Sequence, residues 1–269
     1  MADGTRQVSP VARAQVARDL TAGDLRAALA AGWRDFRAHP LYGLVFGGIY
    51  VLAGLVLYDL LYVRGQMAWL VVAAAGFPLL APFVAVGLYE VSRRHAAGAP
   101  MHWRAVFGVL RGHDDDQILM MGGFVFVGFT FWMILAHGIF AIFMAESGIG
   151  THSLAMLMTG PGLAMLGVGT AVGALMALGF YAITVISLPM LVDREVDFLT
   201  AMIVSLATIR NNPRVLILWG MVIAVALVLA MLPLFLGLFV VLPVLGHATF
   251  HLYRRAVTFP ATPSSRDPA

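Results

Sequence analysis

Two histidines four residues apart, His247 and His251 in "LPVLGHATFHLYRR" (242–255), are the side chains of this chain best placed to do chemistry. Four residues is about one helical turn, so the two imidazoles share a face. Such a pair can clamp a metal or haem, carry a proton, or simply satisfy neighbouring polar groups. Two acids join it by register. His247 and His251 stand fourth and eighth after Pro243, while Glu90 is eighth after Pro82 and Asp193 fourth after Pro189. If the segments superpose, Glu90, Asp193, His247 and His251 form one polar cluster near the ends of the second, fourth and sixth membrane crossings. Ionisable groups at membrane depth are costly and mark ion or proton paths. Two histidines and a carboxylate also suit zinc or non-haem iron. The plainer alternative pairs the acids with Arg93, Arg94, Arg194, Arg254 and Arg255, all within a turn or two, and leaves the histidines to carbonyls loosened by Pro243. Neither a catalytic residue nor a cofactor nor a definite metal site follows from the sequence.

The elements that must hold these residues are membrane helices. Hydrophobic residues make up 61% of the 269 positions and charged residues 12%, against about half and a quarter in soluble proteins. The apolar residues come in blocks of roughly twenty, the length a helix needs to cross hydrocarbon. There is no cysteine, which excludes disulfides and thiolate ligands. All 17 basic residues are arginine, so Schiff-base lysine chemistry is excluded too. The net charge of +3 comes without a basic run or aromatic interleaving, and nucleic acid is not an expected partner.

Hydropathy places crossings at about 41–62, 67–92, 117–144, 160–192, 214–231 and 233–253. The last two are one continuous apolar run, divided at Pro233 because it is too long for a single crossing. With the N-terminus inside, Arg64 is the one outer arginine and the other 16 lie inside, which predicts cytoplasmic termini. Residues 1–23 read as an N-terminal cytoplasmic arm without a cleaved signal, 24–257 as the membrane domain and 258–269 as a disordered tail.

The chain also repeats itself. "DLRAALAAGWRDFRAHPLYGLVFG" (24–47) aligns without a gap on "DFLTAMIVSLATIRNNPRVLILWG" (197–220). Each is an amphipathic helix, with stripes Leu25, Leu29, Trp33, Phe36 and Phe198, Met202, Leu206, Ile209, leading into a crossing that begins at proline. Asn212 and His39 precede those prolines as expected N-caps. A weaker copy, "WRAVFGVLRGHDDDQ", lies between, and "PFVAVGLYEVSRR" (82–94) matches "PVLGHATFHLYRR" (243–255) from proline to double arginine. The expected fold is an all-α membrane protein: six transmembrane helices in three parallel repeats of an interfacial amphipathic helix plus a two-span hairpin, over approximately 24–94, 100–192 and 197–255.

Other candidates have plainer readings. Asp114, Asp115 and Asp116 favour a helix N-terminus. His137 stands alone in the third crossing and reads as a packing residue. Gly169 and Gly173 allow close helix contact. The methionines of "LAMLMTGPGLAM" are lipid-facing or core residues rather than copper ligands.

The strings "APFVAVGLYEVSRR", "SLPMLVDREV" and "LPVLGHATFHLYRR", with "WRDFRAHPLYGLVFG" upstream, closely resemble the integral membrane proteins of domain-of-unknown-function family 2189, over roughly 24–257. The resemblance implies a polytopic protein of the bacterial inner membrane and carries over no activity, cofactor or catalytic residue. The expected role is a non-enzymatic accessory or assembly component of a membrane complex, with the lipid bilayer and other membrane subunits as partners. The alternative is a small transporter or ion channel using the polar site at the ends of crossings two, four and six.

Overall fold

The computed structural model describes residues 14–64, 84–109, 117–144 and 158–259. Among these, helices account for nearly everything: α1 (Ala22–Ala38), α2 (Pro40–Tyr58) with a π-helical turn at Asp59–Val63, α3 (84–96), α4 (Trp103–Gly108), α5 (Gln117–Met144), α6 (Gly160–Thr184), α7 (Ser187–Asp193), α8 (Phe198–Asn211), α9 (Pro213–Met231) and α10 (Leu238–Ala256). A two-residue strand β1 (Gln15–Val16) pairs antiparallel with β2 (Val257–Thr258).

Among the described residues, four stretches are long and apolar enough to cross a membrane: Pro40–Tyr58, Gln117–Phe143, Gly160–Asp193 and Pro213–Met231. This is an all-α membrane protein. The predicted crossing at 67–92 lies partly outside the described residues, and α3 is its described end. The predicted sixth crossing contains α10, a helix of 19 residues. His247, His251, Arg254 and Arg255 dilute its apolar character, and it is not among the four. The chain turns where Pro233 was expected to turn it. Helix α9 stops at Met231, and Leu234 and Phe235 take positive φ of 49° and 66°. Side chains rarely adopt this backbone. Here it lays the Phe235 ring so close to Gly54 of α2 that a Cβ there would stand 2.6 Å from the ring.

The aligned helices α1 and α8 each run into a crossing through one non-helical residue. His39 has φ −134°, ψ 56° and Asn212 φ −133°, ψ 51°, so the two junctions share a backbone conformation. Neither residue caps the following helix with its side chain, contrary to the expectation from sequence. Both side chains are used elsewhere, His39 on His95 and Asn212 on the N-terminal segment. In the segment expected to be a middle copy, α4 spans six residues, and His113 to Asp116 lie outside the described residues.

Helix α1 makes its main contact with α10. Its start is fixed by a capping box in which the Asp24 amide donates to Thr21 Oγ1 and the Thr21 amide donates to Asp24 Oδ2, satisfying two orphan donors at once. The face it buries runs through Leu25, Ala28, Ala31, Gly32, Asp35 and Phe36, and leaves Trp33 45% exposed. Gly32 is obligatory on that face. A Cβ there would come within 2.6 Å of both the Ala248 nitrogen and the Val244 carbonyl of α10, so a methyl group would push the backbones apart.

Candidate functional site

Asp35 is a carboxylate on the buried face of an amphipathic helix, and it stays there because other groups satisfy it. Its side chain is 4% exposed. Ser92 of α3 donates through Oγ to Asp35 Oδ2 at 2.7 Å, and His251 Nε2 of α10 meets the same oxygen at 2.7 Å. The other oxygen, Oδ1, faces His95 Nε2 at 3.7 Å, too long for a hydrogen bond. His95 in turn meets His39, Nδ1 to Nε2, at 3.0 Å. On the inner side, Ser92 Oγ lies 2.8 Å from Nδ1 of His247. Both Ser92 and His247 are fully buried.

The hydrogens in this row follow from charge. Burial alone would raise the Asp35 carboxyl, but the hydrogen bonds from His251 and Ser92 and the nearby imidazoles outweigh it and hold the group below the usual carboxylate range. An ionised carboxylate only accepts. The Ser92 hydroxyl hydrogen therefore points at Asp35, the Ser92 oxygen accepts from His247 Nδ1–H, and His251 donates from Nε2–H. His247 Nε2 is left as a bare lone pair, and it has no hydrogen-bond partner among the described residues. The Leu88 backbone carbonyl is the polar group beside the ring.

The four residues singled out by register fall into two groups. His247 and His251 meet at Asp35 and Ser92. Glu90 is buried and ion-paired with its own helix: Arg93 holds both its oxygens, Nε to Oε2 at 2.7 Å and Nη2 to Oε1 at 2.8 Å, and Arg94 adds a contact at 3.4 Å. Asp193 accepts from the Tyr253 hydroxyl at 3.1 Å and pairs with Arg194 at 3.5 Å. Its charge also bears on Arg93, so the two acids gather around that guanidinium while the histidines gather around another acid. Among the described residues no set of three or more His, Asp or Glu side chains is arranged to hold a metal ion.

Asp35 and Ser92 were not picked out from the sequence. Asp35 had a legible signal: it follows Ala28, Ala31 and Gly32 at helical spacing and so sits on the apolar face. Ser92 had none, being a small polar residue next to a double arginine.

Away from the cluster, His137 of α5 is exposed, and its Nδ1 meets the Met133 carbonyl of its own helix at 2.8 Å. Asn212 spends its side chain on the N-terminal segment: Nδ2 donates to the Ala17 carbonyl at 2.7 Å, and Oδ1 accepts from the Leu20 amide at 3.1 Å. Arg255 clamps the same segment through Asp19 and Asp24.

Comparison with known proteins bears on the long apolar helices. One family model matches residues 70–193. The family is DUF2189, described as a predicted integral membrane protein. No curated protein and no solved structure matches the chain. The DUF2189 match takes in α3 to α7, less than half of the chain and narrower than the motif resemblance over 24–257. It includes Glu90, Ser92 and Asp193, and leaves out α1 with Asp35 and α10 with its histidines.

Proposed function

We propose that this integral membrane protein is a non-enzymatic accessory or assembly component of a larger complex in the bacterial inner membrane, with both termini cytoplasmic. The observation that carries the reading is the outward position of His137. Ionisable side chains inside membrane helices almost always face protein or a water-filled cavity. His137 stands on the open side of a 28-residue apolar helix, in a window of which 6% is buried within the chain. A further subunit covering α5 removes that cost. The neighbouring surface suits close helix packing: Gly122, Gly123 and Gly138 on α5, and Gly167, Gly169 and Gly179 on α6, have nothing among the described residues within 4 Å of a Cβ position. Small residues mark helix interfaces in membranes. The arginine distribution of the sequence supports the orientation. The six-crossing, three-repeat plan draws support from the matching junctions at His39 and Asn212.

Native gel electrophoresis of membranes at native expression, in mild detergent, tests this. The wild-type chain runs in one discrete assembly that His137→Leu weakens. A monodisperse chain without a partner contradicts the proposal.

The alternative, a small transporter or ion channel with its polar site at the ends of crossings two, four and six, rests on a different observation: a buried ionisable group joining α1, α3 and α10.

A further inference from the structure

We propose that the elbows where α1 meets α2 and α8 meets α9 are binding sites for the phosphate groups of anionic phospholipids, held by Arg37 with Arg34 and by Arg210 with Arg214. The inference rests on the membrane architecture alone and on neither the assembly nor the transporter reading.

The first observation is unbalanced charge. Arg34, Arg37, Arg210 and Arg214 are exposed, and among the described residues none of them has an ion pair or a hydrogen-bond acceptor for its side chain. Other arginines are engaged by acids: Arg93 and Arg94 by Glu90, Arg194 by Asp193, and Arg255 by Asp19 and Asp24. The elbows have no carboxylate to offer. Asp24 is held by Arg255 and the capping box, Asp35 by Ser92 and His251, and Asp197 by the Thr200 amide as N-cap of α8, while α2, α8 and α9 contain no acid. A guanidinium fork matches a phosphate and can grip it bidentately.

The second observation is depth. Leu44 and Val45 of α2, and Ile217 and Leu218 at the aligned positions of α9, are exposed, while Phe46 and Trp219 next to them are buried. The exposed pairs face hydrocarbon on helices of crossing length. Pro40 and Pro213, four residues before the first of each pair, stand about 6 Å further out along the helix axis. The headgroup layer is roughly 5–8 Å thick on each side of the hydrocarbon, so the elbows fall at phosphate level.

The third observation is the outer face of the ramps. Leu199, Ile203 and Leu206 make an exposed apolar stripe along α8 that ends on Arg210, although the helix also buries Ala201, Met202 and Val204 against the protein. Such a stripe suits the boundary between headgroups and acyl chains. On α1, Trp33 stands in the place of Leu206, 45% exposed against 41%, and tryptophan favours the same boundary. Each ramp thus brings an arginine to the lipid phosphates. The bonds from Asn212 to Ala17 and Leu20 hold the second elbow near the start of α1, and the first lies at its end. The two are about one α1 length apart, roughly 25 Å, and take separate lipids.

Purified full-length chain in detergent micelles, titrated with phosphatidylglycerol or with phosphatidylcholine of the same acyl chains and read by native mass spectrometry of lipid adducts, provides the test. The wild type binds phosphatidylglycerol the more tightly. Arg37→Gln and Arg210→Gln each lower that affinity about fivefold, the contribution of one arginine near an anionic leaflet, and leave phosphatidylcholine binding unchanged. Arg64→Gln, beyond the other end of α2 and paired with Asp59, changes neither. Equal affinity of the wild type for the two lipids overturns the proposal. So does a phosphatidylglycerol preference that survives in the double variant, with its folding verified by a wild-type thermal transition. Displacement of the lipid by inorganic phosphate at matched ionic strength marks a free-anion site and overturns it as well. Because the chain is titrated alone, a missing partner on native gels leaves this result unaffected, and a missing lipid preference leaves the assembly reading standing.

Discussion

Gly32 of α1 and Ala248 of α10 meet backbone to backbone: a Cβ at Gly32 would stand 2.6 Å from the Ala248 nitrogen. That approach brings Asp35, one turn further along α1, within reach of His251, one turn further along α10. Gly32→Val should therefore destabilise the fold by about 1–3 kcal/mol or more, as overpacking does, and should loosen the polar cluster with it. Gly122→Ala, where nothing lies within 4 Å, should be neutral or slightly stabilising, since alanine is the better helix former. Denaturant unfolding in detergent, followed by helical circular dichroism, compares the two.

Removing the carboxylate should cost more than removing an exposed ion pair. Asp35→Ala leaves Ser92 and His251 without their acceptor and should cost about 1–3 kcal/mol, the usual penalty for buried donors left unpaired. Arg64, whose side chain is 62% exposed in its pair with Asp59, should cost no more than about 1 kcal/mol on substitution by alanine. The same unfolding assay decides.

Stability should also depend on pH in two windows of the same sign. His39 is held below its ordinary value by burial and by the neighbouring His95, against the pull of Asp35. A depressed folded-state value means that the unfolded chain binds more protons, so stability is full above about pH 6.5 and falls as pH drops toward the lowered value. His39→Gln should flatten this slope. The lowered Asp35 carboxyl adds a second loss further into acid, below about pH 4, which Asp35→Asn should abolish. Thermal unfolding from pH 8 to 3 shows both.

Composition, four of the apolar helices and the turn near Pro233 could be read in the sequence, because hydrophobic blocks and proline act locally. The alignment of α1 on α8 rests on the same local signals, and His39 and Asn212, which end those helices, adopt one backbone conformation. The jobs of those two residues were not legible. Asn212 binds the segment around Ala17, almost 200 positions away, and no local pattern records that. The cluster divides in the same manner. Helical spacing puts His247 and His251 on one face of α10, but which acid they meet depends on how α1 docks, and that follows from Gly32. Glu90 is held by arginines close in sequence, and Asp193 is shared between its neighbour Arg194 and the distant Tyr253.

The N-terminal segment is a strap rather than a loose arm from residue 14 onward. Asn212→Ala removes the bonds to Ala17 and Leu20 and should cost about 1–3 kcal/mol by leaving buried backbone groups unpaired. Limited trypsin digestion should then cut at Arg18 several times faster than in the wild type. An unchanged cleavage rate would show that the β1–β2 pairing and Arg255 suffice.

The direction of the hydrogen bonds through Ser92 is the point on which the reading of this site turns. Nitrogen NMR of histidine-labelled full-length protein in lipid bilayers at neutral pH measures it directly. His247 should carry its hydrogen on Nδ1 with a bare Nε2, and His251 should carry its own on Nε2. A His247 ring with its hydrogen on Nε2 and a bare Nδ1 would contradict the ionised Asp35 at the centre of the cluster.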